Sequence, residues 1–259
     1  MRIANTKFTI QNLARYFSCV LLTACYALLT PSPLRADLRD YLLMYKPYAI
    51  PKGEIEIELW TDIRSPEVGD NYLWHQTEVE YGFRPNHTMA FYSVFQEGLG
   101  FTGVKWANRF YLGTYLDQWP VDLGTYVELV KANDSKMPDE LEVKLLANKK
   151  LGDIDITANP ILELENETEI KNGQKEKEWE LEGSLRIGFT YPLNKLLLAE
   201  NDMRGSKFAL ELALGENVYL VPQVNLTLAP YIRLNIGPAI GLSSGADDLQ
   251  IKSIFEVEF

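Results

Sequence analysis

The chain has 259 residues, 46% of them apolar, and carries 36 acidic against 25 basic side chains, a net charge of −11. A surface so acidic does not seek nucleic acid, whose phosphates demand positive charge. The two cysteines, Cys19 and Cys25, fall near the N-terminus, so disulfides, thiol catalysis and thiolate metal sites are excluded from the rest of the chain.

Arg2, Lys7 and Arg15 precede an apolar run from Phe17 to Leu29, and no acid occurs before Asp37. This is the pattern of a secretory signal peptide. The run is too short for a spanning helix, and Pro31 and Pro33 end it before the small residue Ala36, where cleavage leaves a chain beginning at Asp37. Residues 1–36 are then the leader and 37–259 a single domain. Losing the leader removes four bases and no acid, so 36 acids face 21 bases and the net charge becomes −15. Leu22-Thr23-Ala24-Cys25 resembles a lipoprotein box and is the competing signal. The apolar stretch continues past it through Leu29, which favours a cysteine acting as a small hydrophobe.

Beyond the leader no apolar stretch reaches the roughly 18 residues of a spanning helix. The pattern is period two instead. Glu54 to Leu59, Leu141 to Leu145, Ile154 to Ala158, Trp179 to Phe189, Phe208 to Leu214 and Ile251 to Phe259 alternate polar with apolar, as strands with one dry face do. Segments near 53–63, 72–83, 88–97, 102–112, 122–131, 139–149, 153–164, 177–190, 206–214, 218–228, 231–242 and 250–259 give about twelve strands. Many are long enough, at about ten residues, to cross a bilayer at a tilt. Lys195 to Glu200 competes as one further strand, so the count is set within two. Turns at Arg84-Pro85-Asn86, Asn148-Lys149-Lys150 and Ala229-Pro230 fall on the side of the termini, and the polar stretch Asn166 to Lys177 reads as a loop on the other side.

The final Ile251-Lys252-Ser253-Ile254-Phe255-Glu256-Val257-Glu258-Phe259 resembles the terminal strand of bacterial outer-membrane proteins, an aromatic end preceded by apolar residues at every second position. With the leader, the chain resembles an uncharacterised porin-like family of outer-membrane β-barrels. The resemblance implies an all-β fold, a single antiparallel transmembrane β-barrel of about 12 strands in meander order. It also implies a location in the outer membrane, contact with its lipid, and recognition of the strand ending at Phe259 by the barrel-assembly machinery. Tyr81, Phe83, Phe91, Phe95, Trp106, Phe110, Phe189, Tyr191, Phe208 and Phe259 take outward positions, many near strand ends, as aromatic girdles would. A soluble β-sandwich is the alternative architecture, with these aromatics in its core.

If Ile55, Ile57 and Leu59 face outward, the same parity turns Glu54, Glu56, Glu58, Glu78, Glu80, Glu128, Glu140, Glu142, Glu180, Glu182, Glu211, Glu256 and Glu258 inward. Lys105, Arg109, Lys144, Arg186, Lys207, Arg233 and Lys252 join them. Two functions follow from how these charges meet. Separated by water, they make a channel for small cations or polar solutes. Paired across a narrow interior, they make a closed structural or partner-binding barrel.

A lipid-modifying enzyme is the third class, requiring a histidine to meet a serine and an orienting group. Only His75 and His87 are available: His75 faces lipid near the far rim and His87 lies in a turn. Ser65, Ser93 and Ser184 share no motif with them, so no enzyme is expected. Glutamates at i, i+2 could hold calcium, but solvated strand acids are commoner, and neither metal nor cofactor is indicated.

Overall fold

The computed structural model describes residues 39–66, 69–116, 120–133, 138–171, 174–197 and 205–259. The leader reading and both cysteines fall outside them. Twelve strands follow in sequence: β1 (Ile55–Ser65), β2 (Tyr72–Arg84), β3 (His87–Gln96), β4 (Gly100–Tyr115), β5 (Val121–Ala132), β6 (Asp139–Leu151), β7 (Ile154–Lys171), β8 (Gln174–Pro192), β9 (Lys207–Leu214), β10 (Tyr219–Ala229), β11 (Ile232–Gly241) and β12 (Leu249–Glu258). Each pairs antiparallel with its neighbours, and β1 closes on β12 through a ladder running from Glu56↔Glu258 to Ser65↔Leu249. The result is a closed meander barrel. Lys195 and Leu196 belong to a short helix, α1 (Leu193–Leu196), and not to a further strand.

Alternation decides which face points where. In β3, Thr88, Ala90, Tyr92 and Val94 are buried while Phe91 and Phe95 between them are exposed; in β1, Glu56, Glu58 and Asp62 are buried while Ile55 and Ile63 are exposed. Large apolar side chains cover the outside, Leu162 at 58% and Leu181 at 68% exposure among them. Charges are inside and hydrophobes outside, the reverse of a soluble sandwich, whose apolar faces are hidden between its sheets. Of the ten aromatics assigned outward, Tyr81, Phe83, Phe91, Phe95, Trp106 and Phe189 are exposed, and Phe110, Tyr191, Phe208 and Phe259 are half-buried.

Two expectations about connections are corrected. Asn148-Lys149-Lys150 is part of β6, and the turn is Gly152-Asp153, where Gly152 takes a φ of +62° that favours glycine. Asn166 to Lys177 is not simply a loop: β7 and β8 run on through it, with backbone pairing from Asn166↔Trp179 to Lys171↔Gln174. The ladder continues there through residues that lack the apolar alternation of the rest of the barrel, so period two gives no sign of it.

Candidate functional site

The barrel's interior is occupied by residues 39–50 of the same chain. Arg39, Asp40, Tyr41, Leu42, Met44, Tyr45, Lys46 and Ile50 are each at most 6% exposed. This stretch forms neither helix nor strand. Its backbone polar groups must therefore be satisfied by the wall, and eight of them are.

Asn235 donates to the Arg39 carbonyl at 3.0 Å, Asn225 and Gln223 donate to the Asp40 carbonyl at 2.6 and 3.1 Å, and Arg186 donates to the Leu43 carbonyl. The Glu211 carboxylate accepts the N–H groups of Leu42 at 2.6 Å and Leu43 at 3.1 Å. Asn159 pairs with both polar groups of Tyr45, accepting its N–H at 2.9 Å and donating to its carbonyl at 3.0 Å. The Thr88 hydroxyl accepts the N–H of Ile50 at 2.9 Å.

The apolar side chains of the segment are housed by small residues in the wall. Tyr45 packs with Ala90 and Ala107 and stacks on Tyr126 at 4.7 Å; Leu42 packs with Val221, Ala239 and Ile254; Tyr41 and Met44 pack on Ala209. Three inward glycines complete the fit. A Cβ at Gly82 would lie 1.9 Å from the Pro51 carbonyl oxygen, one at Gly124 would lie 2.9 Å from the Pro47 Cβ, and one at Gly188 would lie 2.6 Å from the Tyr41 ring. A strand glycine under a closely approaching backbone is a familiar arrangement.

Charges join the segment to the wall. Asp40 bridges Lys46 of the segment and Lys207 of β9, the latter at 2.6 Å, and Lys46 reaches Asp155 of β7 at 3.1 Å. Burial opposes ionisation of Asp40, but the ammonium groups of Lys46 and Lys207 outweigh it and hold the carboxyl below its ordinary range. Burial likewise works against the charge on Lys46, and Asp40 with Asp155 overcomes it and holds that ammonium above its ordinary range. Tyr48 donates to Asp122 of β5 at 2.7 Å and accepts from Asn148 of β6 at 3.1 Å.

One dense cluster of charge is on β12, β1 and β2. Glu56 stands opposite Glu258 and Glu80, and Glu58 opposite Glu256 and Glu78, so six carboxylates form two adjoining rows. Like charges directly opposite one another repel and call for cations between them. Arg109 supplies one, bonded to Glu80 at 2.7 Å, and Arg39 supplies another, paired with Glu58 and, at 3.4 Å, with Glu78.

Other inward residues form short pairs along the wall: Lys105 with Glu128 and Lys144 with Glu142, both at 2.8 Å, and Lys252 with Asp62. Arg186, Arg233 and Glu182 are half-buried, while Glu180 lies exposed towards the far end of β8. Near that end an inner cavity of about 270 Å³ is lined by Leu43, Arg64, Arg186, Tyr219, Gln250 and Lys252 among others, so charge of the opposite sign collects there. Carboxylate oxygens of Glu56, Glu58 and Glu256 lie within 4.8 Å of one another, a spacing that could hold a cation.

The histidines find no serine among their described partners. His75 lies within hydrogen-bond reach of Thr61 at 3.3 Å and Thr77 at 3.4 Å, and His87 stacks on Phe110 and bonds Asn108 at 2.9 Å. The sequence reading missed residues 39–50 altogether, although their side chains and backbone are held by the wall on every side named above.

No family model matches the chain, and no curated protein is similar to it in sequence. Solved structures do share its fold. An outer membrane channel from Pseudomonas putida F1 superposes with a TM-score of 0.54 at 11% identity, over 82% of this chain and 97% of that one. The NanC porin superposes with a TM-score of 0.53 at 12% identity, over 78% of this chain and 98% of the porin. At these identities the likeness is one of fold: a porin-like closed barrel.

Proposed function

We propose that this chain is an outer-membrane channel closed by its own N-terminal segment, residues 39–50, and that its acidic wall favours small cations when the segment leaves. The fold it shares with an outer membrane channel and a porin supports the first half of the reading. The observation that carries closure is the seating of the segment: eight backbone groups are held by polar wall side chains, which in its absence would face water. The acidic rows on β12, β1 and β2 support the cation preference, since the focused field of a narrow acidic wall raises the local concentration of cations. Export through the leader and assembly through the strand ending at Phe259 belong to the same proposal.

The closed structural barrel is the second reading, favoured by the same occupied interior if the segment never leaves. Planar-bilayer conductance separates them. Wild-type protein is expected to conduct rarely, and the variant lacking residues 39–50 to conduct in frequent, cation-selective steps under a salt gradient, weakened by Glu80→Gln and Glu182→Gln. Equal silence from both, with the sheet intact by circular dichroism, would sink the channel and leave the closed barrel.

A further inference from the structure

We infer that the place Arg39 occupies on the inner wall is a recognition site for a guanidinium-bearing solute, with Arg39 as its built-in competitor. The inference rests on the channel reading and names the solute class for it.

The chemistry is that of a cage. The Arg39 guanidinium carbon lies 4.1 Å from the centre of the Tyr45 ring and 4.5 Å from that of Trp60. A planar cation against aromatic faces gains from their quadrupoles, and more so out of water. Glu58 and Glu78 supply the counter-charge, and Trp60 fixes both by donating its indole N–H to Glu58 at 2.8 Å and to Glu78 at 3.0 Å. Trp60, Glu58 and Glu78 belong to β1 and β2, so three of the four walls remain when the segment goes.

Arg39 fills this cage incompletely. One of its guanidinium nitrogens and one Glu78 oxygen are buried without a hydrogen-bond partner. The tether explains the shortfall, because the Arg39 carbonyl is held by Asn235 and the next residue by Asn225, Gln223 and Lys207. An untethered guanidinium can turn to present its two-pronged edge to both carboxylates, the geometry in which this group binds best. A metal ion has no use for the Trp60 ring, and a simple ammonium lacks the plane that matches it. The cage thus selects for guanidinium over other cations that the acidic wall attracts.

The test compares arginine amide with citrulline amide, which differs only in carrying an uncharged ureido group. Calorimetry on the full chain in micelles would measure binding to wild type, Arg39→Ala and Arg39→Ala/Glu58→Gln/Glu78→Gln. Arginine amide is expected to bind Arg39→Ala at least tenfold more tightly than wild type and at least tenfold more tightly than the triple variant, with citrulline amide binding none of them. Arg39→Lys, which keeps the charge and the seat of the segment, should fall between wild type and Arg39→Ala. Equal binding to wild type and Arg39→Ala, or equal binding of the two amides, overturns the cage. Binding is read without conductance. Tight binding by a barrel that never conducts supports the cage and refutes the channel, whereas a conducting barrel that ignores arginine amide does the opposite.

Discussion

Glu211 is the most direct handle on the seating of residues 39–50. Its carboxylate accepts the N–H of Leu42 at 2.6 Å and of Leu43 at 3.1 Å, and also the Gln223 amide at 2.9 Å. A hydrogen bond to a charged group contributes about 1.5–3 kcal/mol net. Taking the low end for each backbone bond, since the Leu43 N–H is shared between both oxygens, Glu211→Ala costs the seated state about 3 kcal/mol. That is roughly a 100-fold rise in the fraction of barrels with the segment released, at about 1.4 kcal/mol per factor of ten. Glu211→Gln keeps one acceptor oxygen, and about a tenfold rise is expected. Met44→Cys provides the assay: the side chain at position 44 is 1% exposed when seated, and no described residue is a cysteine. The rate of thiol labelling then follows the released fraction while opening and closing are fast. The same rate in all three backgrounds, with the sheet intact by circular dichroism, would refute the claim that Glu211 holds the segment.

The same thiol reports on two other contacts. Gly188→Ala puts a Cβ 2.6 Å from the Tyr41 ring. An overpacking cost of about 1–3 kcal/mol should speed labelling at least fivefold. Adding Tyr41→Ala should remove most of that increment, and strictly additive effects would show that ring and glycine do not meet. Asp40→Asn should weaken the protection of the Leu42 and Leu43 amides from hydrogen exchange at neutral pH. Because the Asp40 carboxyl is held low in the seated state, its contribution is complete above the ordinary carboxylate pKa of about 3.9 and fades as pH falls through the lowered value. Wild type and Asp40→Asn should therefore differ at pH 7 and converge only in strong acid. Convergence already at pH 6 would count against the Lys46–Asp40–Lys207 bridge.

How far the fold could be read depended on where a strand has one wet and one dry face. Glu56, Glu58 and Glu78 were legible as inward because isoleucine, leucine and valine separate them, and a pleated backbone turns alternate residues to opposite sides. The pattern failed where apolar residues run out. Beyond Asn166 the residues of β7 and β8 are almost all polar, so nothing in the alternation marks the ladder that continues there. Gly152 was the true turn signal after β6, masked by the more conspicuous polar run Asn148-Lys149-Lys150.

Residues 39–50 escaped for a different reason. Tyr41-Leu42-Leu43-Met44-Tyr45 has no period of two because it pairs with no strand; all but Leu43 are buried, and its partners come from every direction. A signal was nonetheless present. Ala90, Ala107, Gly124, Gly188 and Ala209 occupy inward positions, and most have a long polar residue such as Arg109, Arg186 or Glu211 as an inward neighbour on the same strand. Small residues facing an interior otherwise lined with charge are hollows for something apolar, and five apolar residues in a row just before β1 are what fills them.

The reach of that segment bears on how the barrel is put together. The closing seam joins Thr61 to Ser253, almost the full length of the sheet apart in sequence, and bringing such distant pieces together is the slow, entropically costly part of making any closed sheet. Residues 39–50 touch all twelve strands, from Glu58 on β1 and Thr88 on β3 round to Asn235 on β11 and Ile254 on β12. If the segment is in place before the seam closes, strands that wrap this common axis arrive there with their two edges already side by side. The inner wall of the finished tube is fitted to a piece of its own chain.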